Sequence, residues 1–492
     1  MNRRTALKAL GGGIAGAPAI LRGAGRRPNI LFFMTDDQRY DAMSCAGNRF
    51  LKTPNMDRIA NEGVRFSNAF VTNSLCSPSR GTIVTGLYSH AHGVRTNGGD
   101  THRLRPGVPT FPGLLREAGY YTALSGKWHI ALPPAGFDQT SILPGQGIYH
   151  DPVLLINGGR ARFRGYVDDV IADQALEMLQ SRPKDKPFCM LCQFKAPHRS
   201  WEPAERFRKA LEGVTFPEPP SFNLSLEDRP AAIRDSDIQI ADMPDFAEFG
   251  VSRDLPRHER KRRNFQFFVR QYYRTLLGVD ENVGRVLDFL DKQGLAGNTL
   301  VIYTSDNGFF CGEYGLFDKR MMYEPSIRVP MLARYPDGFA GGRVDSEHMV
   351  LNNDVAHTVL DYAGVARPAS MRGHGESWRP ILERRPVQWR DAWMYEYFEY
   401  PAVTCTGKMR GIRTERWKLI HYIQNPQGWE LFDLEKDPGE RNNLYGDPEY
   451  RSRGEELKAR LDRLRSELGD DRSEDGSPAA PCTIRIANTP HR

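Results

Sequence analysis

The sequence predicts an α/β fold. A large, mostly parallel mixed sheet flanked by helices is joined to a smaller C-terminal antiparallel sheet with a helix. Three observations carry this expectation. Apolar runs at 30–34, 188–194 and 299–303 show no polar alternation, as expected of strands buried on both faces. Segments with helix periodicity or helix caps separate these runs, the rhythm of parallel βαβ units. Beyond about residue 385 the pattern changes to closely spaced strand-length pieces and one charged helix.

Taken in order, Pro28-Asn29 leads into Ile30-Leu31-Phe32-Phe33-Met34, a strand that ends in Thr35-Asp36-Asp37. Thr53-Pro54 supplies an N-cap and a first-turn proline for a helix that Gly63 closes. Val64–Val71 reads as a strand. A loop around Cys76 and an apolar helix through Leu87 follow. Phe111–Ala118 reads as a helix capped by Gly119, and Tyr120–Leu124 as a strand leading to Gly126-Lys127-Trp128-His129. Val167–Gln180 is a helix, and Pro187–Phe194 a strand ending at Ala196-Pro197-His198. Residues 199–265 are irregular, rich in proline and charge, and read as an excursion over one face.

Tyr272–Gln293 is an amphipathic helix with Leu276, Val279, Val283, Val286, Leu287 and Leu290 on one stripe. Thr299–Tyr303 is a strand ending in Thr304-Ser305-Asp306-Asn307-Gly308. Ala392–Tyr397, Gly411–Thr414, Lys418–Tyr422 and Glu430–Asp433 form the second sheet, and Glu455–Leu468 its helix. The expected organisation is an export signal at 1–27, a main domain at 28–385, a C-terminal subdomain at 386–470 and a polar tail at 471–492.

A composition of 40% hydrophobic and 26% charged residues is that of a soluble globular protein. The formal charge of +6 is matched by Arg3, Arg4, Lys8, Arg22, Arg26 and Arg27, with no acid among the first 27 residues. The rest of the chain is neutral, which removes the electrostatic case for a nucleic-acid partner. Arg3-Arg4, then Leu-Lys and a short Gly/Ala-rich apolar run, resemble a twin-arginine export signal and predict a periplasmic location. No stretch is long and apolar enough to predict a transmembrane segment. The seven cysteines are odd in number and lack the spacing of a disulfide framework. Cys189 and Cys192 sit three apart on a strand, so they face opposite sides and read as core residues, not a redox pair.

The chemistry gathers at strand ends. Asp36-Asp37 and Asp306-Asn307 each follow an apolar strand, where ligands collect in open α/β sheets. Four oxygen donors without a histidine cluster favour Ca²⁺ or Mg²⁺ over Zn²⁺. Taken singly, these residues also suit turns and caps. Cys76 precedes Pro78-Ser79-Arg80 and a helix start, a place that favours an anion. Arg80 can pair with an oxyanion there. Lys127 and His129, two apart, face the same side of an extended segment; in isolation they also read as structural. His198 follows a strand through Ala-Pro and is placed to act as an acid. Lys319 lies in Phe317-Asp318-Lys319-Arg320.

Cys76-Ser-Pro-Ser-Arg80 continues to Thr85-Gly86 and resembles the sulfatase signature C-x-P-S-R-x-x-x-x-T-G at every position. With Asp36-Asp37, Gly-Lys-Trp-His at 126–129, Ala-Pro-His at 196–198 and Ser-Asp-Asn-Gly at 305–308, the chain resembles formylglycine-dependent sulfatases of the alkaline-phosphatase-like superfamily. Asp-Lys-Arg at 318–320, Tyr-Glu-Pro-Ser-Ile-Arg-Val-Pro at 323–330 and Leu-Phe-Asp-Leu-Glu-Lys-Asp-Pro-Gly-Glu at 431–440 extend the resemblance. It implies sulfate-ester hydrolysis and a central sheet of that superfamily's kind. It also implies that Cys76 is oxidised to formylglycine (3-oxoalanine) by a formylglycine-generating enzyme, and that the hydrated aldehyde supplies the nucleophile. Asp36, Asp37, Asp306, Asn307 and the modified Cys76 would hold the cation. Arg80, Lys127 and Lys319 would neutralise sulfate. His198, with Lys319, would protonate the leaving alcohol, and His129 would take a proton from the second hydroxyl of the hydrate. Tyr314 stands where relatives more often carry His.

The substrate expected from the resemblance is an O-sulfated carbohydrate such as N-acetylglucosamine-6-sulfate. A phosphodiester or phosphonate monoester hydrolase on the same fold is the alternative chemistry. A non-catalytic glycan-binding protein is the alternative class, disfavoured by the intact Cys76, Arg80 and metal positions. By polarity and loop position alone, Arg95, Asn97, His102, Arg103, Arg199, Trp201, Arg372 and His374 are candidate selectors for the sugar.

Overall fold

Strands Asn29–Thr35 and Thr299–Ser305 are buried throughout and lie parallel at the centre of a ten-stranded sheet. The computed structural model describes residues 27–131, 133–243, 248–400, 404–423 and 427–470. From edge to edge the strands are Arg343–Asp345, Val64–Phe66, Met331–Arg334, Thr299–Ser305, Asn29–Thr35, Phe188–Gln193, Tyr121–Lys127, Gln139–Leu143, Val153–Ile156 and Gly159–Arg162. The five central strands from Thr299–Ser305 to Gln139–Leu143 are mutually parallel, and antiparallel neighbours extend both flanks.

The unbroken apolar runs follow from burial on both faces. Ile30, Phe32 and Met34 enter one core, Leu31 and Phe33 the other. Cys189 and Cys192 divide in the same way, one to each core, as their spacing predicts. Helices Val167–Ser181 and Arg257–Lys292 cover the face of Leu31 and Phe33 with Ile171, Ala175, Val279, Val283 and Val286. Helices Cys76–Thr85, Phe111–Glu117 and Asp354–Ala363 cover the opposite face with Ile83, Val84, Leu115, Val359 and Leu360.

The second sheet is an antiparallel meander of Ala392–Tyr397, Met409–Thr414, Trp417–Tyr422 and Gly428–Asp433. Helix Arg451–Glu467 packs Leu457 and Leu461 with Met394, Ile412, Leu419 and Leu431. Trp393, Tyr395, Ile420 and Phe432 join the main core, so the two sheets share one interior. Buried ion pairs fasten the junction. Lys418, fully buried, pairs with Glu324 at 2.8 Å and with Glu440, while Arg413 pairs with Glu324 at 3.3 Å.

Four expectations need correction. The long helix begins at Arg257, not Tyr272, and takes the end of the segment read as irregular. Its first turns lack an apolar stripe and are held by the pairs Arg263–Glu259, Arg257–Asp242 and Arg262–Glu218. Val64–Val71 is two strands: Val64–Phe66 stays in the main sheet, and Ala69–Phe70 pairs with Val350–Leu351. The helix near Pro78 starts at Cys76 itself. Cys405 is disulfide-bonded, which the cysteine spacing did not signal. The export signal, apart from Arg27 at its edge, and the polar tail lie outside the described residues.

Candidate active site

The sheet register places the chemistry. Thr35 pairs with Ser305 across two central strands, so Asp36-Asp37 and Asp306-Asn307 emerge side by side. The next strand, Phe188–Gln193, runs on to His198, and Tyr121–Lys127 beyond it delivers Lys127. Four neighbouring carboxyl ends therefore supply one site. Gly126 makes the last of these possible. Its φ is +109°, and a Cβ there would lie 1.8 Å from the Gln193 carbonyl oxygen.

Cys76 is the first residue of helix Cys76–Thr85, every residue of which is buried. Its Sγ lies 3.6 Å from Asp36 Oδ1 and 3.3 Å from Lys319 Nζ. Burial pushes the thiol up to about 12 despite both nearby lysines. As a thiol it is protonated at neutral pH and a poor nucleophile.

Carboxylate oxygens of Asp36, Asp37 and Asp306 lie within 4.8 Å of one another, and the same holds for donor atoms of Asp36, Cys76 and His198. Asn307 completes the oxygen set. Its Nδ2 donates to Asp37 Oδ1 at 2.6 Å and to the Gly308 carbonyl, which leaves Oδ1 buried with no partner. A buried acceptor without a donor, beside three carboxylates, fits a hard divalent cation. Burial and the charge of Asp36 push Asp306 up to about 7, a cost that a cation would offset. Asp37 is raised by burial, against the pull of Lys319. Asp36 behaves differently: burial would raise it, but the charges of Lys127, Arg80 and Lys319 hold it well below the carboxylate range.

Three cations surround this group. Arg80 donates Nε to Asp306 Oδ2 at 2.9 Å and Nη1 to the Lys127 carbonyl, tying helix to strand. Its Nη2 sits 2.8 Å from Asp306 Oδ2 but makes no hydrogen bond there. Lys127 Nζ binds Asp36 and Gln146 Oε1. Lys319 binds Asp37 from a turn with positive φ on both sides, at Asp318 and Arg320. His198 Nδ1 must donate to the Arg199 carbonyl at 2.7 Å, so its Nε2, 3.9 Å from Asp37, carries the lone pair of the neutral ring. Burial, reinforced by Lys127, lowers His198 well below the usual imidazole range. His129 is lowered in the same way by burial, Lys127 and Arg80, and its Nδ1 is buried without a partner. Its left-handed backbone, φ +53°, is held through its carbonyl by Ser77 Oγ and His102 Nε2.

Every residue singled out from the sequence for the site, Asp36, Asp37, Cys76, Arg80, Lys127, His129, His198, Lys319, Asp306 and Asn307, thus lies in or against this cluster. The selector candidates divide. Asn97 and His102 bond to Ser77, next to Cys76. Trp201 is core, packed on Phe249, Phe268 and Phe309. His374 packs with Tyr88 and His90. Three polar neighbours were not anticipated: Gln146, Lys195 and Glu399. Lys195 donates to the Gln146 carbonyl at 3.0 Å, and burial with Lys127 lowers it to about 8. Glycines on both sides of Gln146 were the available signal of a tight loop.

Residues 28–365 match the sulfatase family model, and residues 312–467 match N-sulphoglucosamine sulphohydrolase, C-terminal. The chain is 39% identical to an N-acetylglucosamine-6-O-sulfatase of Bacteroides thetaiotaomicron, covering 90% of this chain and 87% of that one. It is 31% identical to the N-acetylglucosamine-6-sulfatase of Homo sapiens, over 78% of this chain and 70% of that one. A solved structure described as a complex with its substrate, D-glucosamine-2-N,6-O-disulfate, aligns at TM-score 0.85 and 38% identity, covering 92% of this chain and 100% of that one.

Proposed function

The chain belongs to the sulfatase family, and from that premise we propose that it removes 6-O-sulfate from N-acetylglucosamine or glucosamine units of sulfated glycans. The enzyme is a sulfuric ester hydrolase. The single observation that carries the chemistry is the convergence of Cys76 with three carboxylates, Asn307 and three cations in one buried cluster. The sugar rests on the relatives, whose names specify a 6-sulfated glucosamine.

In this reading Cys76, the first residue of the C-x-P-S-R signature of the family the chain belongs to, is converted to formylglycine. The hydrated aldehyde supplies the attacking hydroxyl. Asp36, Asp37, Asp306 and Asn307 would hold a divalent cation, Ca²⁺ by preference, whose charge would polarise the ester as a Lewis acid. Arg80, Lys127 and Lys319 take the sulfate oxygens, so developing negative charge meets fixed positive charge in a dry site. His198 presents Nε2 to the leaving oxygen, and the arriving anionic ester offsets the lysine charges that lower its proton affinity. His129, with Nδ1 free, accepts the proton of the second hydroxyl. Export to the periplasm is supported by the Arg3-Arg4 segment and by the disulfide at Cys405, since disulfides persist in oxidising compartments.

The test is sulfate release from a panel of sugar sulfates and a phosphodiester, using enzyme co-expressed with a formylglycine-generating system. The reading predicts the fastest turnover on N-acetylglucosamine-6-sulfate or glucosamine-6-sulfate. Faster turnover of the phosphodiester, or equal rates on 3- and 6-sulfates, would overturn it.

A further inference from the structure

We propose that Glu399, from the C-terminal subdomain, is a positioning residue that fixes the distance between Cys76 and Lys319. The proposal rests on the reading of Cys76 as the nucleophile. Glu399 follows strand Ala392–Tyr397 and is 5% exposed. Its two carboxylate oxygens are used in opposite directions. Oε1 accepts from Arg320 Nη1 at 2.8 Å, and Oε2 accepts from the Asn97 backbone N–H at 2.7 Å. Arg320 is the residue after Lys319. Asn97 in turn accepts, through Oδ1, the backbone N–H of Ser77 at 3.0 Å, and Ser77 is the residue after Cys76. One carboxylate therefore joins the turn that carries Lys319 to the helix start that carries Cys76.

The same strand makes a second, shorter bridge. Tyr395 donates its hydroxyl to the Arg320 carbonyl and accepts from the Ser74 N–H at 3.1 Å. Tyr397 accepts from Arg320 Nη1 at 3.0 Å. Arg320 is otherwise in an unfavourable conformation, with φ +91° and a buried Nε that makes no hydrogen bond and has only Asp318 Oδ2 at 3.7 Å. The bridges hold it there, and with it Lys319 Nζ at 3.3 Å from Cys76 Sγ.

Replacement by glutamine keeps the volume but not the function. The amide offers one acceptor oxygen, so its NH₂ must face either Arg320 or the Asn97 N–H, donor against donor. In the role the family resemblance implies, Lys319 shares with His198 the protonation of the departing alcohol as well as holding a sulfate oxygen, which matters for a sugar sulfate and much less for an aryl sulfate with an activated phenol. The experiment measures kcat and KM of wild type, Glu399→Gln and Glu399→Asp on both ester types, with thermal melting of each protein. The expected result for Glu399→Gln is a loss of about 10- to 100-fold in kcat on the sugar sulfate. KM should stay within about twofold, and the loss on the aryl sulfate should be several-fold smaller. Glu399→Asp, which keeps both acceptors on a shorter arm, should recover part of the loss. A merely structural role would lower the active fraction, cutting both esters by the same factor. That outcome, or full activity in Glu399→Gln, would overturn the proposal alone. A wild type inactive on both esters would overturn it together with the reading of Cys76.

Discussion

Gly126→Ala is the sharpest test of how the sheet positions the site. A Cβ at this position falls 1.8 Å from the Gln193 carbonyl oxygen and 2.7 Å from its carbon, where ordinary contact begins at 3.4 Å. The strand pair must therefore open by about 1.6 Å at Gly126 and Gln193, which face each other in register. The left-handed φ of +109° adds roughly 1–3 kcal/mol of strain for alanine. Overpacking of a tight interior adds roughly 1–3 kcal/mol more. A total near 3 kcal/mol predicts a fall in Tm of about 3 °C for a chain of 492 residues. Lys127, the next residue, moves with the strand, and a misplacement of about 1 Å predicts a loss of about 100-fold in kcat/KM. The assay pairs thermal unfolding with sulfate release. Gly364→Ala serves as control, because its φ is +67° but nothing lies within 4 Å of a Cβ there. That variant should show the strain without the catalytic loss. A Gly126→Ala protein within about 1 °C of wild type, with full activity, would refute the reasoning.

Asn307→Ala removes the buried amide oxygen left without a partner beside the three carboxylates, and should weaken calcium retention by at least about 10-fold in a chelator titration; unchanged retention would remove Asn307 from the ligand set. Asp168 is buried and accepts the Lys195 N–H at 2.8 Å, and burial raises it from 3.8 to about 7. The folded state then binds the proton more tightly than the unfolded chain, so its contribution is present below 3.8 and is lost as pH rises to about 7. Asp168→Asn should gain Tm relative to wild type across that window, and a flat difference would count against it. Lys418→Met removes the buried cation shared by Glu324 and Glu440, leaving Glu324 to Arg413 and Arg328, and should cost about 3 kcal/mol, seen as a clear drop in Tm. An unchanged melting curve would show that the junction does not depend on this pair.

Much of the site was legible because local signals agreed. Asp36-Asp37 and Asp306-Asn307 end apolar runs that only a doubly covered strand explains, and Cys76 to Gly86 forms a contiguous motif. What escaped depends on partners far away in sequence. The split at Ser67-Asn68 follows from pairing with residues near 345–351, since Ser67 N–H and Asn68 Nδ2 donate to the Asp345 and Ser346 carbonyls. The first turns of the long helix are held by Asp242 and Glu218, which no periodicity reveals. Trp201 reads from its loop position as a candidate selector, yet three phenylalanines pack around it. Glu399 carries no motif, and its importance appears only once Arg320 and Asn97 meet on it.

The central claim is that Cys76, as an aldehyde, performs the hydrolysis. The most direct measurement is mass analysis of the Cys76 peptide alongside sulfate release from N-acetylglucosamine-6-sulfate. Preparations would be graded in maturation from none to complete, with Cys76→Ala in parallel. The account predicts activity proportional to the aldehyde fraction, vanishing in unmatured protein and in Cys76→Ala. Full activity from protein whose Cys76 remains a thiol, or from the alanine variant, would contradict it.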